Sequence, residues 1–151
     1  MPNLKALKAI AIIFAVIIVV LLSVLIFVKP VRGPELPPPA VSLDGRLSVT
    51  LPRTNDIVAS PVFVGGSVTG GGWFFEASFP VKVLDGDGTV LGQGPAQAES
   101  DWMTTETVPF AADIPFTAPK YGTGTVVFEK DNPSGLPQNA GELRVPVRFA
   151  K

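Results

Sequence analysis

Residues 75–91 read FEASFPVKVLDGDGTVL, and this stretch decides the fold. Apolar side chains occupy every second position of its first half: Phe75, Ala77, Phe79, Val81 and Val83. A period of two predicts a strand that buries one face and exposes the other. The turn residues DGDG at positions 85–88 precede a second apolar run, so the whole stretch predicts a β-hairpin.

The same alternation recurs along the rest of the chain. The other stretches that show it are residues 47–51, 62–68, 108–116, 126–128 and 143–149. About seven strands at this spacing, with no helical pattern between them, predict an all-β fold, an antiparallel β-sandwich. Because proline lacks an amide donor, Pro80, Pro109, Pro115 and Pro146 are expected on edge strands of the sheet.

Three segments of this region occur in an order that is typical of one known family. Residues 60–66 read SPVFVGG, residues 75–79 read FEASF ahead of the DGDG turn, and residues 145–147 read VPV. Together they resemble the immunoglobulin-like domain named after bacterial spore germination proteins, over residues 57–149. The resemblance implies an immunoglobulin-like β-sandwich that serves as a non-catalytic module of the bacterial cell envelope. It supplies no catalytic residue, and the family's name does not imply sporulation for this chain.

Residues 9–28 contain no charge and a single polar side chain, Ser23. A helix of that length is about 30 Å long, which matches the hydrocarbon core of a bilayer. No small-residue cleavage motif follows, so an uncleaved transmembrane signal anchor is predicted. The expected organisation is a short cytoplasmic tail (1–8), the anchor (9–28), a proline-rich stalk (29–40) and the β-sandwich (41–151). The short tail favours an extracytoplasmic position for the sandwich, at the bacterial cell membrane.

The composition excludes several classes of function. Four of the twelve basic residues flank the apolar run, whereas all thirteen acidic residues follow it, so the β-rich part is acidic. An acidic domain lacks the positive surface that nucleic acid requires. The chain contains no Cys and no His, which excludes thiol nucleophiles, disulfides and Ser-His-Asp catalysis. We therefore expect a protein that is not an enzyme and that holds no cofactor or metal.

Two groups of residues, a set of carboxylates and a set of glycines, are of the kinds found in binding sites, but both are interpreted as turns. Asp85 and Asp87, with Glu76 near them in sequence, are best explained as solvated hairpin residues; a weak Ca²⁺ site is the alternative. The glycines of residues 65–66 and 70–72 are followed by no Lys-Ser or Lys-Thr pair and no helix, so a phosphate-binding loop is not expected.

Trp73, Phe74 and Trp102 are the candidate partner-contact residues. If Phe75 faces the core, alternation directs Phe74 outward, and exposed aromatic rings serve both protein interfaces and sugar stacking. The alternative is that Trp73, Phe74 and Trp102 pack in the core or beneath a loop.

The resulting expectation is a membrane-anchored module for binding or scaffolding at the cell envelope, with an envelope protein as its partner. Recognition of a cell-wall glycan through the same aromatic residues is the alternative. A carboxylate-based hydrolase is a further alternative. It requires two of six carboxylates to share a concave pocket. These are Glu76, Asp85, Asp87, Glu99, Asp101 and Asp113.

Overall fold

The computed structural model describes residues 3–27 and 35–151. Residues 1–2 and 28–34 lie outside the described residues, and with them parts of the predicted tail and anchor and half of the predicted stalk. The chain divides into two units, Met1–Leu36 and Pro37–Lys151.

The first unit contains one described helix, α1 (Leu4–Phe27). Its first turn closes with the Leu7 N–H donating to the Asn3 carbonyl at 3.1 Å. All side chains described between residues 12 and 21 are exposed. Among the described residues, no helix combines the length and hydropathy required to cross a membrane. The predicted transmembrane helix over residues 9–28 is therefore not supported by this structure.

The second unit is built from strands. Within the described residues there are nine: β1 (Ala40–Val41), β2 (Leu47–Leu51), β3 (Ile57–Val58), β4 (Val62–Thr69), β5 (Ser78–Asp85), β6 (Val90–Ala98), β7 (Thr107–Ile114), β8 (Thr123–Glu129) and β9 (Glu142–Phe149). The predicted all-β fold is confirmed. The two strands that periodicity did not predict, β1 and β3, are each two residues long and too short to show a period.

Hydrogen bonds order the strands β1-β2-β4-β7-β6-β5-β8-β9-β3. All neighbours are antiparallel except β3 and β9, which run parallel. The first four strands form one layer of the sandwich and the last five form the other. Strand β6 joins the two layers, because Gln97 and Ala98 at its end also pair with Ala111 and Phe110 of β7.

The core lies between the two layers. Phe79 of β5 meets Phe110 of β7 edge to face, with ring centroids 4.9 Å apart, and Phe110 meets Phe128 of β8 at 6.2 Å. Buried valines of the same strands surround these rings. Each large apolar side chain buried in this way contributes about 1.5–3 kcal/mol to stability, which explains how a domain without disulfides holds together.

The prediction that Pro80, Pro109, Pro115 and Pro146 mark edge strands is wrong. Pro80, Pro109 and Pro146 lie on β5, β7 and β9, which are all inside the strand order, and Pro115 follows the end of β7. Pro80 stands opposite Pro95 of β6, and the pairing of β5 with β6 continues on either side of these two residues. The outermost strands are instead the short strands β1 and β3.

Candidate binding surface at the loop end

Four connections meet at one end of the sandwich, which we call the loop end. It consists of residues 42–46, 70–77, 99–106 and 130–141. Backbone hydrogen bonds hold these loops or their bases together: Thr69 to Arg46 (2.9 Å), Gly70 to Glu106 (2.9 Å), Ala98 to Ala77 (2.8 Å) and Asp131 to Trp73 (3.1 Å). The opposite end carries the connections 52–61, 86–89 and 115–122 and the last residues, 150–151.

Trp73 is the central support of the loop end. Its side chain is only 1% exposed and packs edge to face on Phe79, with ring centroids 6.2 Å apart. Its indole Nε1–H donates to Asp44 Oδ2 in the first loop at 3.1 Å. Its carbonyl accepts from the Asp131 N–H in the fourth loop at 3.1 Å. Through its side chain and its backbone carbonyl, Trp73 thereby links three of the four loops to one another and to the core.

Asp44 receives several donors besides Trp73. The Ser42 hydroxyl donates to Oδ1, and the Arg46 N–H donates to the same oxygen at 3.0 Å. Burial is the largest single influence and acts to raise the pKa of Asp44. The hydrogen bonds from Ser42, Arg46 and Trp73, together with the charge of Arg46, outweigh it and hold this pKa below its ordinary value. Asp44 is therefore ionised near neutral pH and acts as an acceptor that organises its loop.

A tight turn at residues 75–78 reverses the predicted orientation of the neighbouring phenylalanines. Phe75 and Ser78 exchange backbone hydrogen bonds of 2.9 and 3.1 Å. Between them Glu76 and Ala77 both have positive φ, 49° and 63°, as a type I′ turn requires. The strand consequently begins at Ser78, so Phe75 is 45% exposed whereas Phe74 is 6% exposed. The predicted outward direction of Phe74 is wrong for this reason.

The third loop lies directly against the second. Gly71 has φ of +63°, and a Cβ atom placed on it would stand 2.1 Å from the Trp102 carbonyl oxygen, so only glycine permits this approach. Trp102 is half-buried against the core, whereas Met103 beside it is 76% exposed. The Met103 N–H donates to Asp101 Oδ1 at 3.0 Å, which keeps the tip of the loop in a defined turn.

The fourth loop is held by its own polar side chains. Asn132 Nδ2 donates to the Leu136 carbonyl at 2.9 Å, and Ser134 Oγ donates to Asn132 Oδ1 at 2.6 Å. Ser134 Oγ in turn accepts from Asn139 Nδ2 at 3.0 Å. Leu136 lies at the centre of this network and is 48% exposed. A polar network thus presents an apolar side chain to solvent.

Each of the four loops carries one large apolar side chain that is at least 45% exposed, within the part of the chain that the structure describes. These residues are Leu43, which is fully exposed, Phe75, Met103 and Leu136. The sequence contained a weak indication of them, since each is a large apolar residue within a segment rich in turn residues. Sequence reasoning missed them because nothing in the pattern showed that the four loops share one end.

The family assignment agrees with this architecture. The model of the immunoglobulin-like domain of bacterial spore germination, Gmad2, matches residues 46–136. The chain belongs to this family. The match begins just before β2 and ends within the fourth loop, whereas the sequence motifs had suggested residues 57–149. No curated protein and no solved structure matches the chain.

In this immunoglobulin-like domain the predicted contact residues lie beneath the surface. Trp73 and Phe74 are buried, and Trp102 is half-buried. Because the rings of Trp73 and Phe74 are buried, they have no exposed faces with which to contact a partner. Both side chains instead pack in the core, which was the alternative interpretation. The predicted group nevertheless lies at the loop end of the domain. Met103 and Phe75, each adjacent in sequence to one of these residues, are the exposed ones.

Asp85 and Asp87 lie at the opposite end of the immunoglobulin-like domain, in the predicted hairpin. Asp85 is 5% exposed, and its carboxylate accepts from the N–H groups of Gly86 (2.8 Å), Lys120 (2.8 Å) and Tyr121 (3.2 Å). Asp87 is exposed, and the Thr89 N–H bond is the main cause that lowers its pKa. Asp87 is a solvated turn residue as predicted, whereas the prediction of a solvated side chain is wrong for Asp85, which is buried at the end of β5. The link from Asp85 to the distant residues 120–121 was not predicted.

The six carboxylates considered for hydrolysis are dispersed over the domain. Five of the cavities on the described surface contain none of these six carboxylates in their lining. One of these cavities lies at the loop end between Asp44, Trp73 and Glu142. No group of three or more acidic residues in the described ranges is arranged to hold a metal ion.

Proposed function

We propose that the protein is a non-catalytic binding module of the bacterial envelope whose loop end contacts a protein partner. The observation that carries this proposal is the set of four exposed apolar side chains, one on each loop of the same end. Contact with a partner would bury these side chains, and each would contribute about 1–3 kcal/mol of apolar burial. Large side chains of this kind, Phe and Met in particular, are enriched at the centres of protein interfaces.

The support beneath these side chains strengthens the proposal. Trp73 connects three loops to the core, and Gly71 and Ser134 fix the remaining contacts within and between loops. A preorganised surface loses less conformational entropy on binding than a flexible one. Glycan stacking has less support, because the ring faces of Trp73 and Phe74 are buried.

We further propose that residues 9–28 hold the domain at the bacterial cell membrane, with the domain on the extracytoplasmic side. The uncharged sequence supports this, as do the exposed apolar side chains of α1, among them Ile12, Phe14 and Val19. An apolar helix that is exposed on all faces is stabilised by lipid or by a protein that covers it.

Cell membranes extracted with alkaline carbonate should retain the full chain. The double variant Ile17→Arg, Val20→Arg should be released, since each central Arg costs about 3 kcal/mol in a bilayer. Release of the unmodified chain would contradict the anchor.

The binding function is tested by site-specific photocrosslinking of the full chain in bacterial cells. A photoreactive amino acid replaces Met103 at the loop end or, as a control, Ile57 at the opposite end; these side chains are 76% and 65% exposed. We expect a discrete protein adduct from position 103 and none from position 57.

Two matched triple variants show whether the apolar side chains carry the contact. Leu43→Ser, Phe75→Ser, Leu136→Ser removes the other exposed apolar residues of the loop end. Leu51→Ser, Val90→Ser, Tyr121→Ser removes the same number from the opposite end, where all three are more than 40% exposed. The adduct should disappear with the first variant and persist with the second. Equal adducts from both variants would refute a loop-end binding function.

A further inference from the structure

The charges of the domain are distributed unequally between its two ends. The four loops of the loop end contain six acidic residues and two basic ones: Asp44, Glu76, Glu99, Asp101, Glu106 and Asp131 against Arg46 and Lys130. The connections of the opposite end contain two acidic residues and three basic ones: Asp56 and Asp87 against Arg53, Lys120 and Lys151. The negative charge of the domain is therefore concentrated on the surface that carries the four exposed apolar side chains.

Most of these carboxylates are accessible to a partner. Asp44, Glu76 and Glu106 are exposed, as are Glu99 and Asp101, whereas Lys130 is half-buried. Arg46 is exposed, but its charge already acts on Asp44. Each of the first three loops thus places an acidic residue within a few positions of its exposed apolar one. The apolar side chains of the loop end lie among carboxylates rather than among neutral polar groups.

We propose that the loop end recognises a basic protein surface, in which Lys or Arg residues surround apolar ones. This inference rests on the proposed binding function and names the chemistry of its partner. An acidic surface repels anionic lipid headgroups, nucleic acid and anionic glycans, and it attracts a cationic protein surface from beyond contact distance. The apolar side chains then supply short-range burial, and the carboxylates supply orientation and a faster association rate.

Three matched peptides serve as probes for the full chain in a nonionic detergent. They share the same spacing of Leu and Trp residues and carry Lys, Gln or Glu at all other positions. Binding is measured by fluorescence anisotropy at low and at physiological salt. We expect the Lys peptide to bind most tightly and its affinity to fall as salt rises, because surface charge interactions are screened over about 8–10 Å.

Two triple variants with the same net charge locate the interaction. Glu76→Gln, Asp101→Asn, Glu106→Gln neutralises three carboxylates of the loop end. Asp56→Asn, Asp87→Asn, Asp113→Asn neutralises three elsewhere, two at the opposite end and one on β7 close to it. The first should weaken the Lys peptide about tenfold, as expected for several charge contacts near a surface. The second should change its affinity less than about twofold, since its carboxylates lie outside the loop end.

Equal weakening by the two variants would overturn the inference, because binding would then follow net charge alone. Equal affinity for the Lys, Gln and Glu peptides would also overturn it. If the apolar variant Leu43→Ser, Phe75→Ser, Leu136→Ser abolishes binding while the loop-end charge variant leaves it unchanged, the binding function stands and the basic partner is refuted. If the apolar variant leaves the binding of all three peptides and the photocrosslinked adduct unchanged, the proposed function itself fails.

Discussion

The bond between Asp44 and Trp73 should contribute measurably to the stability of the domain. The variant Asp44→Ala removes the acceptor of three donors: the Ser42 hydroxyl, the Arg46 N–H and the Trp73 indole N–H. The indole belongs to a side chain that is 1% exposed, so the loss of the carboxylate leaves a largely buried donor without its acceptor. A buried donor left without a partner costs about 1–3 kcal/mol.

Asp44 itself is exposed, so its charge is screened and the loss is dominated by the stranded donors. With smaller losses at Ser42 and Arg46, we expect Asp44→Ala to lower the free energy of unfolding by about 2–3 kcal/mol. For a domain of this size the loss corresponds to a fall in Tm of about 8–12 °C. In a double-mutant cycle with Trp73→Phe, the two changes should be non-additive by about 1 kcal/mol.

The same bond gives stability a defined dependence on pH. The pKa of Asp44 is lowered in the folded state, so its ionisation stabilises the fold above the pKa of the unfolded chain. This contribution is lost as the pH falls through the folded pKa. The difference in stability between the unmodified chain and Asp44→Asn should therefore be constant above about pH 5 and should shrink below about pH 4.

Thermal unfolding followed by near-ultraviolet circular dichroism, which reports on Trp73, measures all of these quantities. Asp113→Ala is the matched control, because Asp113 is an exposed carboxylate on β7 and lies outside the loop end. The reasoning is refuted if Asp44→Ala and Asp113→Ala unfold at the same temperature, or if the gap to Asp44→Asn persists at pH 2.

Three further predictions concern the turns. Ala77→Gly should raise the free energy of unfolding by about 0.5–1 kcal/mol, because Ala77 has φ of +63°; a lower Tm would contradict the type I′ turn. Asp85→Ala should lower the free energy of unfolding by about 3 kcal/mol or more, because it removes a buried carboxylate that accepts from three amide N–H groups. Asp87→Ala, at an exposed position, should have a much smaller effect in the same urea titration. Gly71→Ala should displace the third loop, because its Cβ would stand 2.1 Å from the Trp102 carbonyl; unchanged Trp102 fluorescence and stability would refute the close approach.

Most of the longer strands were predictable because their apolar and polar residues alternate in the sequence, whereas β1 and β3 are too short to show this alternation. Residues 47–51 coincide with β2, and the alternating residues 143–149 lie within β9. Phe74 and Phe75 were assigned to the wrong faces because alternation was extended through Glu76 and Ala77. A type I′ turn is ordinarily recognised by Asn-Gly or Asp-Gly, and here two residues with side chains adopt it. Local composition therefore carried no indication of the turn.

The candidate site depended on contacts between distant parts of the chain. Asp44 and Trp73 are 29 positions apart, and neither belongs to a motif that names the other. The aromatic residues Trp73, Phe74 and Trp102 directed attention to the loop end, but their burial could not be inferred from residue type alone. The packing of four separate loops decides which apolar residues are exposed. No local pattern in the sequence shows that these loops lie side by side.

The two-residue strands at the margins of the sheet affect how many copies of the domain can share a small area. A neighbouring chain that pairs with β1 or β3 gains only a few backbone hydrogen bonds, each worth about 1 kcal/mol, and loses more than that in rigid-body freedom. The open part of β9 carries Glu142, Arg144 and Pro146, which also disfavour strand addition. Copies displayed densely on one surface should therefore remain separate molecules instead of merging into amyloid-like ribbons.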